Sequence, residues 1–286
     1  MYEQRYGLAR RPFPSTPDGD RYYPATSHEK ALIALQRALD DDEGIVLLTG
    51  EPGTGKTLLG QLVLDRLSEG HVTALLTNSH LADRAALFQA VLYDLGLPYA
   101  DRGEQTLRLR LTEQLLKNCA EGKRTVLVVD EAQHLSADLL EELRLLTNLE
   151  GGGHKALQVV LIAHPSILDT LAQPALTALG QRLAARCRIE PLGVEEACDY
   201  LAHHLRQAGA KPERAIDDGA LDVLARGTGG VPRRLNQAAH QALVLADAGE
   251  LSCVDAEAAL EALAMLGLAT EEPAENEIRI LASRAA

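Results

Sequence analysis

The chain has 286 residues, 46% of them apolar and 24% charged, enough to bury a sizeable core as one large domain or two smaller ones. A net charge of −13 and a pI near 5.2 exclude a surface that binds polyanions throughout, because neutralising phosphates needs clustered Lys and Arg; a local basic patch is still allowed. With no Trp and two Phe, aliphatic side chains must build the interior and aromatic stacking platforms are scarce.

The opening Met1-Tyr2-Glu3-Gln4-Arg5-Tyr6 is polar and unlike a secretory signal. No apolar run approaches the roughly 18 to 20 residues of a membrane-spanning helix, so a cytoplasmic protein is expected. Pro12, Pro14 and Pro17 with Gly7 and Gly19 predict an irregular tethered arm over residues 1–26. Tyr22 and Tyr23, near its end, either lie against an adenine or anchor the arm to the core. Ser27 reads as a helix cap, followed by Ala31, Leu32, Leu35, Ala38 and Leu39 at helical spacing. Gly44 ends that helix and opens Ile45-Val46-Leu47-Leu48-Thr49, a continuous apolar strand of the kind covered on both faces.

Strand and helix then alternate. Val72 to Thr77 is a strand, two helices cover roughly residues 83–120, and Thr125 to Val129 is a second buried strand. A helix from Ser136 to Leu149 precedes Gly151-Gly152-Gly153, Leu157 to Ala163 is a further strand, and Arg188 to Glu190 a last short one. This alternation predicts an α/β domain over residues 27–191, a mostly parallel sheet with helices on both faces. After Pro191-Leu192-Gly193 only amphipathic helices follow, predicting a small all-α lid over residues 192–268 and then a polar tail over 269–286. Cys119, Cys187, Cys198 and Cys253 are too widely spaced for a metal site and read as reduced structural residues. His203 and His204 are adjacent on a helix, point to different faces and make a poor metal site.

Two constellations carry chemistry. Gly50-Glu51-Pro52-Gly53-Thr54-Gly55-Lys56-Thr57, with Leu58 after it, fits G-x-x-x-x-G-K-[ST] in full between a strand and a helix. Its glycines let backbone N–H groups turn toward phosphate oxygens, and the helix beginning near Lys56 adds the positive end of its dipole. Lys56 is expected to neutralise β- and γ-phosphate charge, and Thr57 to offer its hydroxyl to Mg²⁺. Val126-Leu127-Val128-Val129-Asp130-Glu131 is a buried strand ending in two acids. Such a strand beside the phosphate-loop strand would bring Asp130 to Mg²⁺ and let Glu131 polarise an attacking water, which points to ATP hydrolysis.

Several further motifs occur in order: Asp130-Glu131-Ala132-Gln133-His134-Leu135-Ser136, the helix Glu142 to Glu150, Gln181-Arg182-Leu183, and Gly229-Gly230-Val231-Pro232-Arg233-Arg234-Leu235-Asn236. With Tyr6-Gly7-Leu8, Pro12-Phe13 and Thr16-Pro17-Asp18 at the start, they resemble AAA+ ATPases of the ExeA/GspA type over roughly residues 1–265. The resemblance implies that Arg233 is a sensor-2 arginine reaching the γ-phosphate from the lid, with a solvated helix arginine as the alternative. It implies that Arg182 projects into a neighbouring subunit's site, with Arg186 competing for that role. At sensor 1, where the family has Gly-Gln-Pro, this chain reads Ala163-His164-Pro165. His164 either donates a hydrogen bond to the attacking water or γ-phosphate, with a charge that depends on pH near neutrality, or merely caps the strand.

The resemblance further implies a hexamer-like ring acting on envelope or secretion machinery, in the cytoplasm or peripheral to the inner membrane. Those relatives usually continue through a membrane helix into a peptidoglycan-binding segment, whereas this sequence stops near residue 286; either such parts are absent or this is a stand-alone relative. Similarity to TniB/TnsC-type transposition ATPases offers another reading, a regulator on duplex DNA with Lys155, Arg144 or Arg234 lining a pore. A slow-turnover, nucleotide-gated scaffold is the third reading, and the departure at His164 suits it.

Overall fold

A computed structural model describes residues 2–14, 16, 18–67, 70–100 and 103–268. In chain order it holds the single turn α1 (Tyr2–Arg5), α2 (Thr26–Asp40), β1 (Ile45–Gly50), α3 (Lys56–Arg66), β2 (His71–Leu76), α4 (Arg84–Asp94), α5 (Glu104–Ala120) and β3 (Arg124–Val129). Next come α6 (Ala137–Leu146), the small hairpin β4 (Glu150–Gly151) and β5 (His154–Lys155), β6 (Leu157–Ala163), α7 (Ile167–Leu171), α8 (Thr177–Arg182) and β7 (Leu183–Ile189). The remainder is helical: α9 (Val194–Gln207), α10 (Pro212–Ala215), α11 (Asp218–Gly227), α12 (Pro232–Ala248) and α13 (Ala256–Met265). Two compact units result, Pro17–Glu190 and a second made of Met1–Thr16 with Pro191–Ala286.

In the first unit five parallel strands lie in the order β2-β3-β6-β1-β7. Alternate residues of the central strands point to opposite faces, and each face has its own core. Ile45, Leu47, Leu127, Val129, Val159 and Leu161 pack with Leu87, Phe88, Leu111 and Leu143 from α4, α5 and α6. Val46, Leu48, Val126, Val128, Val160 and Ile162 pack with Leu32, Leu35, Leu59 and Val63 from α2 and α3. Burial on both faces is why these strands read as unbroken apolar runs.

Two sequence expectations change in detail. The last strand is longer than Arg188 to Glu190, because β7 is an edge strand covered on one side; half-buried Leu183, Ala185 and Cys187 alternate with exposed Ala184, Arg186 and Arg188, so no apolar run marks it. Ser27 does not cap α2: Ala25 holds that position without a side-chain bond, and the Ser27 hydroxyl donates to the Glu190 carbonyl at 3.2 Å. Asp83 and Ser136 do cap α4 and α6, accepting from Ala86 N and Leu139 N.

In the second unit, Asp217 and Asp255 cap α11 and α13. The chain's opening residues belong to this unit. Tyr2 Oη lies 2.9 Å from His240 Nδ1, Arg5 pairs with Asp247 at 2.8 Å, Ala9 N donates to Ala208 O at 2.8 Å, and buried Phe13 meets His204 edge-on. His204 packs its ring against Tyr200 at 4.4 Å. The polar tail expected over 269–286 lies outside the described residues. No described helix is long and apolar enough to cross a membrane.

Candidate active site

The turn after β1 has a shape that side chains would fill. A Cβ on Gly50 would sit 2.9 Å from Thr54 Oγ1 and 3.0 Å from the Ile189 carbonyl. Gly53 and Gly55 take φ of 83° and 96°, left-handed values that turn successive N–H groups inward. Thr54 closes the turn by donating to the Glu51 carbonyl at 2.8 Å, while Glu51 and Pro52 stay exposed. His28 of α2 props it from beneath, with Nε2 2.7 Å from the Thr54 carbonyl, the place a Cβ on Gly55 would occupy.

Helix α3 starts at the turn, so its unpaired N–H groups and dipole face the same space. Lys56 is buried and folds back, its Nζ donating to the Gly50 carbonyl at 2.8 Å and the Glu51 carbonyl at 3.0 Å. Thr57 Oγ1 donates to Asp130 Oδ2 at 2.6 Å. Leu58 is half-buried on the same helix and brings no polar side chain to the turn.

The expectation that the strand of Asp130 runs beside the phosphate-loop strand is wrong. β6 lies between them, with Leu47 opposite Leu161 and Leu127 opposite Val159. Thr57 still reaches Asp130 because α3 lies low across the sheet. A Cβ on Gly60 would be 2.4 Å from Ile162 Cδ1 on β6 and 3.4 Å from Val128 Cγ1 on β3. The missing side chain lets the helix approach both strands.

Asp130 is buried, and its Oδ1 accepts the Glu131 N–H at 2.9 Å. Ser79, just beyond β2, donates its hydroxyl to the Asp130 carbonyl. Glu131 itself is exposed with φ of 53°, a left-handed conformation costly for a residue with a side chain. Its Oε2 accepts from Gln133 Nε2 at 2.6 Å, and Gln133 Oε1 accepts the His164 N–H at 2.9 Å.

His164 follows the end of β6, the strand between the other two. Ser166 N donates to its Nδ1 at 3.2 Å, so the neutral ring carries its proton on Nε2, which lies 3.4 Å from Glu51 Oε2. His164 therefore lies within reach of the phosphate turn. The donors at Thr57 and Asp130, one hydroxyl and one carboxylate, suit Mg²⁺, a hard cation that commonly takes one or two carboxylates and completes its shell with water and substrate phosphates.

Arg182 ends α8 and is exposed; it helps to hold the Glu150 carboxyl below its usual range, after the stronger effect of the Lys155 hydrogen bond. Arg186 on β7 donates to the Gly180 carbonyl at 3.2 Å. Arg233 and Arg234 are exposed at the start of α12 in the helical unit. Of the bases considered for DNA, Lys155 pairs with Glu150, and Arg144 pairs bidentately with Glu141 at 2.8 and 2.7 Å. Tyr22 donates its hydroxyl to Glu29 at 2.8 Å and packs on the core, which makes it an anchor; its pKa is pushed up by burial and then by that carboxylate. Gln133, His28 and Ser79 are the site neighbours that motif spacing alone does not mark.

Residues 39–171 match the family model for an AAA domain. The chain carries an AAA+ P-loop domain. It is 40% identical over 273 residues to General secretion pathway protein A of Aeromonas hydrophila, covering 95% of this chain and 50% of that protein. It is 32% identical over 121 residues to ATP-dependent target DNA activator B of Escherichia phage Mu, covering 42% of this chain and 36% of the relative. A Corynebacterium diphtheriae AAA ATPase described as forming ring-shaped complexes is 27% identical over 191 residues, 63% of this chain and 35% of that one. The chain thus spans about half the length, or less, of these curated relatives. Among solved structures, the Aeropyrum pernix ORC2 protein matches with a TM-score of 0.67 at 16% identity, covering 90% of this chain and 71% of that one, which supports the AAA+ fold. The resemblance to ExeA/GspA-type AAA+ ATPases holds.

Proposed function

We propose that this AAA+ chain binds ATP with Mg²⁺ and hydrolyses it, using the nucleotide cycle to drive or regulate assembly of a partner complex. The observation that carries the reading is the convergence of Lys56, Thr57 and Asp130, with the Thr57 hydroxyl 2.6 Å from the Asp130 carboxylate, beside Glu131. Lys56 exchanges its two carbonyl partners for β- and γ-phosphate oxygens, and the N–H groups of the turn cradle them. Thr57 and Asp130 would hold Mg²⁺, which would neutralise charge on the phosphates. Glu131 accepts a proton from water as its oxygen bonds to the γ-phosphorus and the bond to the β–γ bridging oxygen breaks; ADP leaves and the proton passes to phosphate. His164 Nε2–H is placed to donate to the γ-phosphate or the water. Arg233 serves as sensor 2, and Arg182 as an arginine supplied to a neighbouring subunit, with Arg186 as its competitor.

A ring-shaped homo-oligomer follows the Corynebacterium relative, and a partner in secretion or envelope machinery follows the printed name of the Aeromonas one. A location in the cytoplasm, or peripheral to the inner membrane, suits such a role. The test is Glu131→Gln: phosphate release falls by about 10²- to 10⁴-fold while nucleotide binding persists, and unchanged turnover would overturn the catalytic assignment. The phage Mu relative supports a second reading, ATP-dependent duplex binding. Internal pairing of Lys155 and Arg144 weighs against it. Salt-sensitive duplex binding seen only with ATP would establish it instead.

A further inference from the structure

Gln133 is bonded at every polar position of its amide. Oε1 accepts from His164 N at 2.9 Å, and Nε2 donates to Glu131 Oε2 at 2.6 Å and lies 3.3 Å from His134 Nε2. The orientation is forced, because a backbone N–H can only donate and a carboxylate only accept; the flipped amide would set donor against donor and acceptor against acceptor. Glu131 needs such a partner. It is exposed, sits in a left-handed turn with φ of 53°, and its own amide is committed to Asp130. Without a tether, its carboxylate would sample rotamers in water, and a general base works only when held within reach of its proton.

The other end of the tether is the backbone of His164, whose imidazole lies 3.4 Å from Glu51 of the phosphate turn. A continuous path therefore runs from the turn through His164 and Gln133 to Glu131. We propose that Gln133 is a positioning residue that fixes the Glu131 carboxylate for water activation and ties it to the end of β6, so that hydrolysis is coupled to what His164 meets at the phosphate turn. The proposal rests on the hydrolysis reading given above. Gln133 touches neither water nor phosphate in this role.

The test compares the full chain with Gln133→Ala, Gln133→Glu and Glu131→Gln under steady-state ATP turnover, with nucleotide affinity and melting temperature measured separately. Gln133→Ala lowers kcat about ten- to a hundredfold, the worth of one hydrogen bond to a charged group, with KM and nucleotide Kd changed less than about threefold. Gln133→Glu keeps an acceptor for the His164 N–H but offers the Glu131 carboxylate no donor, so it preserves the contact with the end of β6 while removing the tether, and its kcat falls as in Gln133→Ala. Wild-type kcat in Gln133→Ala or Gln133→Glu, or a loss confined to KM, overturns the proposal. Turnover surviving in Glu131→Gln removes the hydrolysis reading and this proposal with it. An inactive Glu131→Gln beside a fully active Gln133→Ala removes this proposal alone. Should Gln133→Ala melt at lower temperature, the kcat of Gln133→Glu, which keeps the His164 contact, decides.

Discussion

Replacing Thr57 by Val removes one hydroxyl at nearly constant volume and tests the metal assignment. Without nucleotide, the hydroxyl donates to a carboxylate that is 4% exposed, and the Glu131 N–H remains on its other oxygen. A hydrogen bond to a charged group contributes about 1.5–3 kcal/mol, so Thr57→Val should lower the free protein's thermal midpoint by about 3–12 °C, at about 2–4 °C per kcal/mol for a unit of this size. When Mg²⁺ and ATP are bound, the same hydroxyl is expected on the metal. Affinity reads the difference between the two states, so its loss weakens binding in Mg²⁺ by what the metal contact contributes beyond the Asp130 hydrogen bond it replaces, about tenfold for each 1.36 kcal/mol. In EDTA the variant and wild type should bind within about threefold, since Lys56 and the turn N–H groups are untouched. A fluorescent ATP analogue titrated with and without Mg²⁺ reads both arms. Equal weakening in both conditions would show that Thr57 acts only in the fold, and no weakening in either would remove it from the site.

Three further outcomes follow from other parts of the molecule. Gly230→Ala should destabilise the helical unit by more than about 2 kcal/mol, because φ is +68° and the added Cβ would lie 1.9 Å from the Leu192 carbonyl; an unchanged urea midpoint would contradict the close approach. Burial lowers the pKa of His203 and of His240, with Arg206 and Arg11 adding to it, so the unfolded chain takes up protons more readily. Their contribution to stability is therefore full above about pH 6.5 and is lost as pH falls through the lowered folded values, and His240→Gln should flatten the melting curve against pH over that window. Mixing Arg182→Ala with Lys56→Ala should restore part of the turnover that each lacks alone, if the arginine acts across subunits; wild-type turnover by Arg182→Ala alone would transfer the question to Arg186.

The parts of the site legible in the sequence are those where neighbours in sequence are neighbours in space. The turn from Gly50 to Thr57 builds its cradle from its own backbone, so its glycine spacing is diagnostic, and Asp130-Glu131 ends a strand whose apolar run announces two covered faces. Strand order is different, since nothing in Val126 to Asp130 tells which strand lies alongside. The one local trace is Gly60, a small residue where α3 lies closest to β6. His164 is marked by its place after an apolar strand, but its bond to Gln133 is hidden for the same reason: it spans 31 positions and depends on β6 running between β1 and β3. The inserted strand is what brings a backbone N–H to the amide that holds Glu131, and an imidazole to the rim of the phosphate turn. Because β6 and not β3 lies beside β1, its end stands between the turn and the glutamate. The departure at His164 changes the side chain that the inserted strand brings to Glu51 of the phosphate turn, while the bond to Gln133 is made by its backbone N–H and does not depend on the side chain.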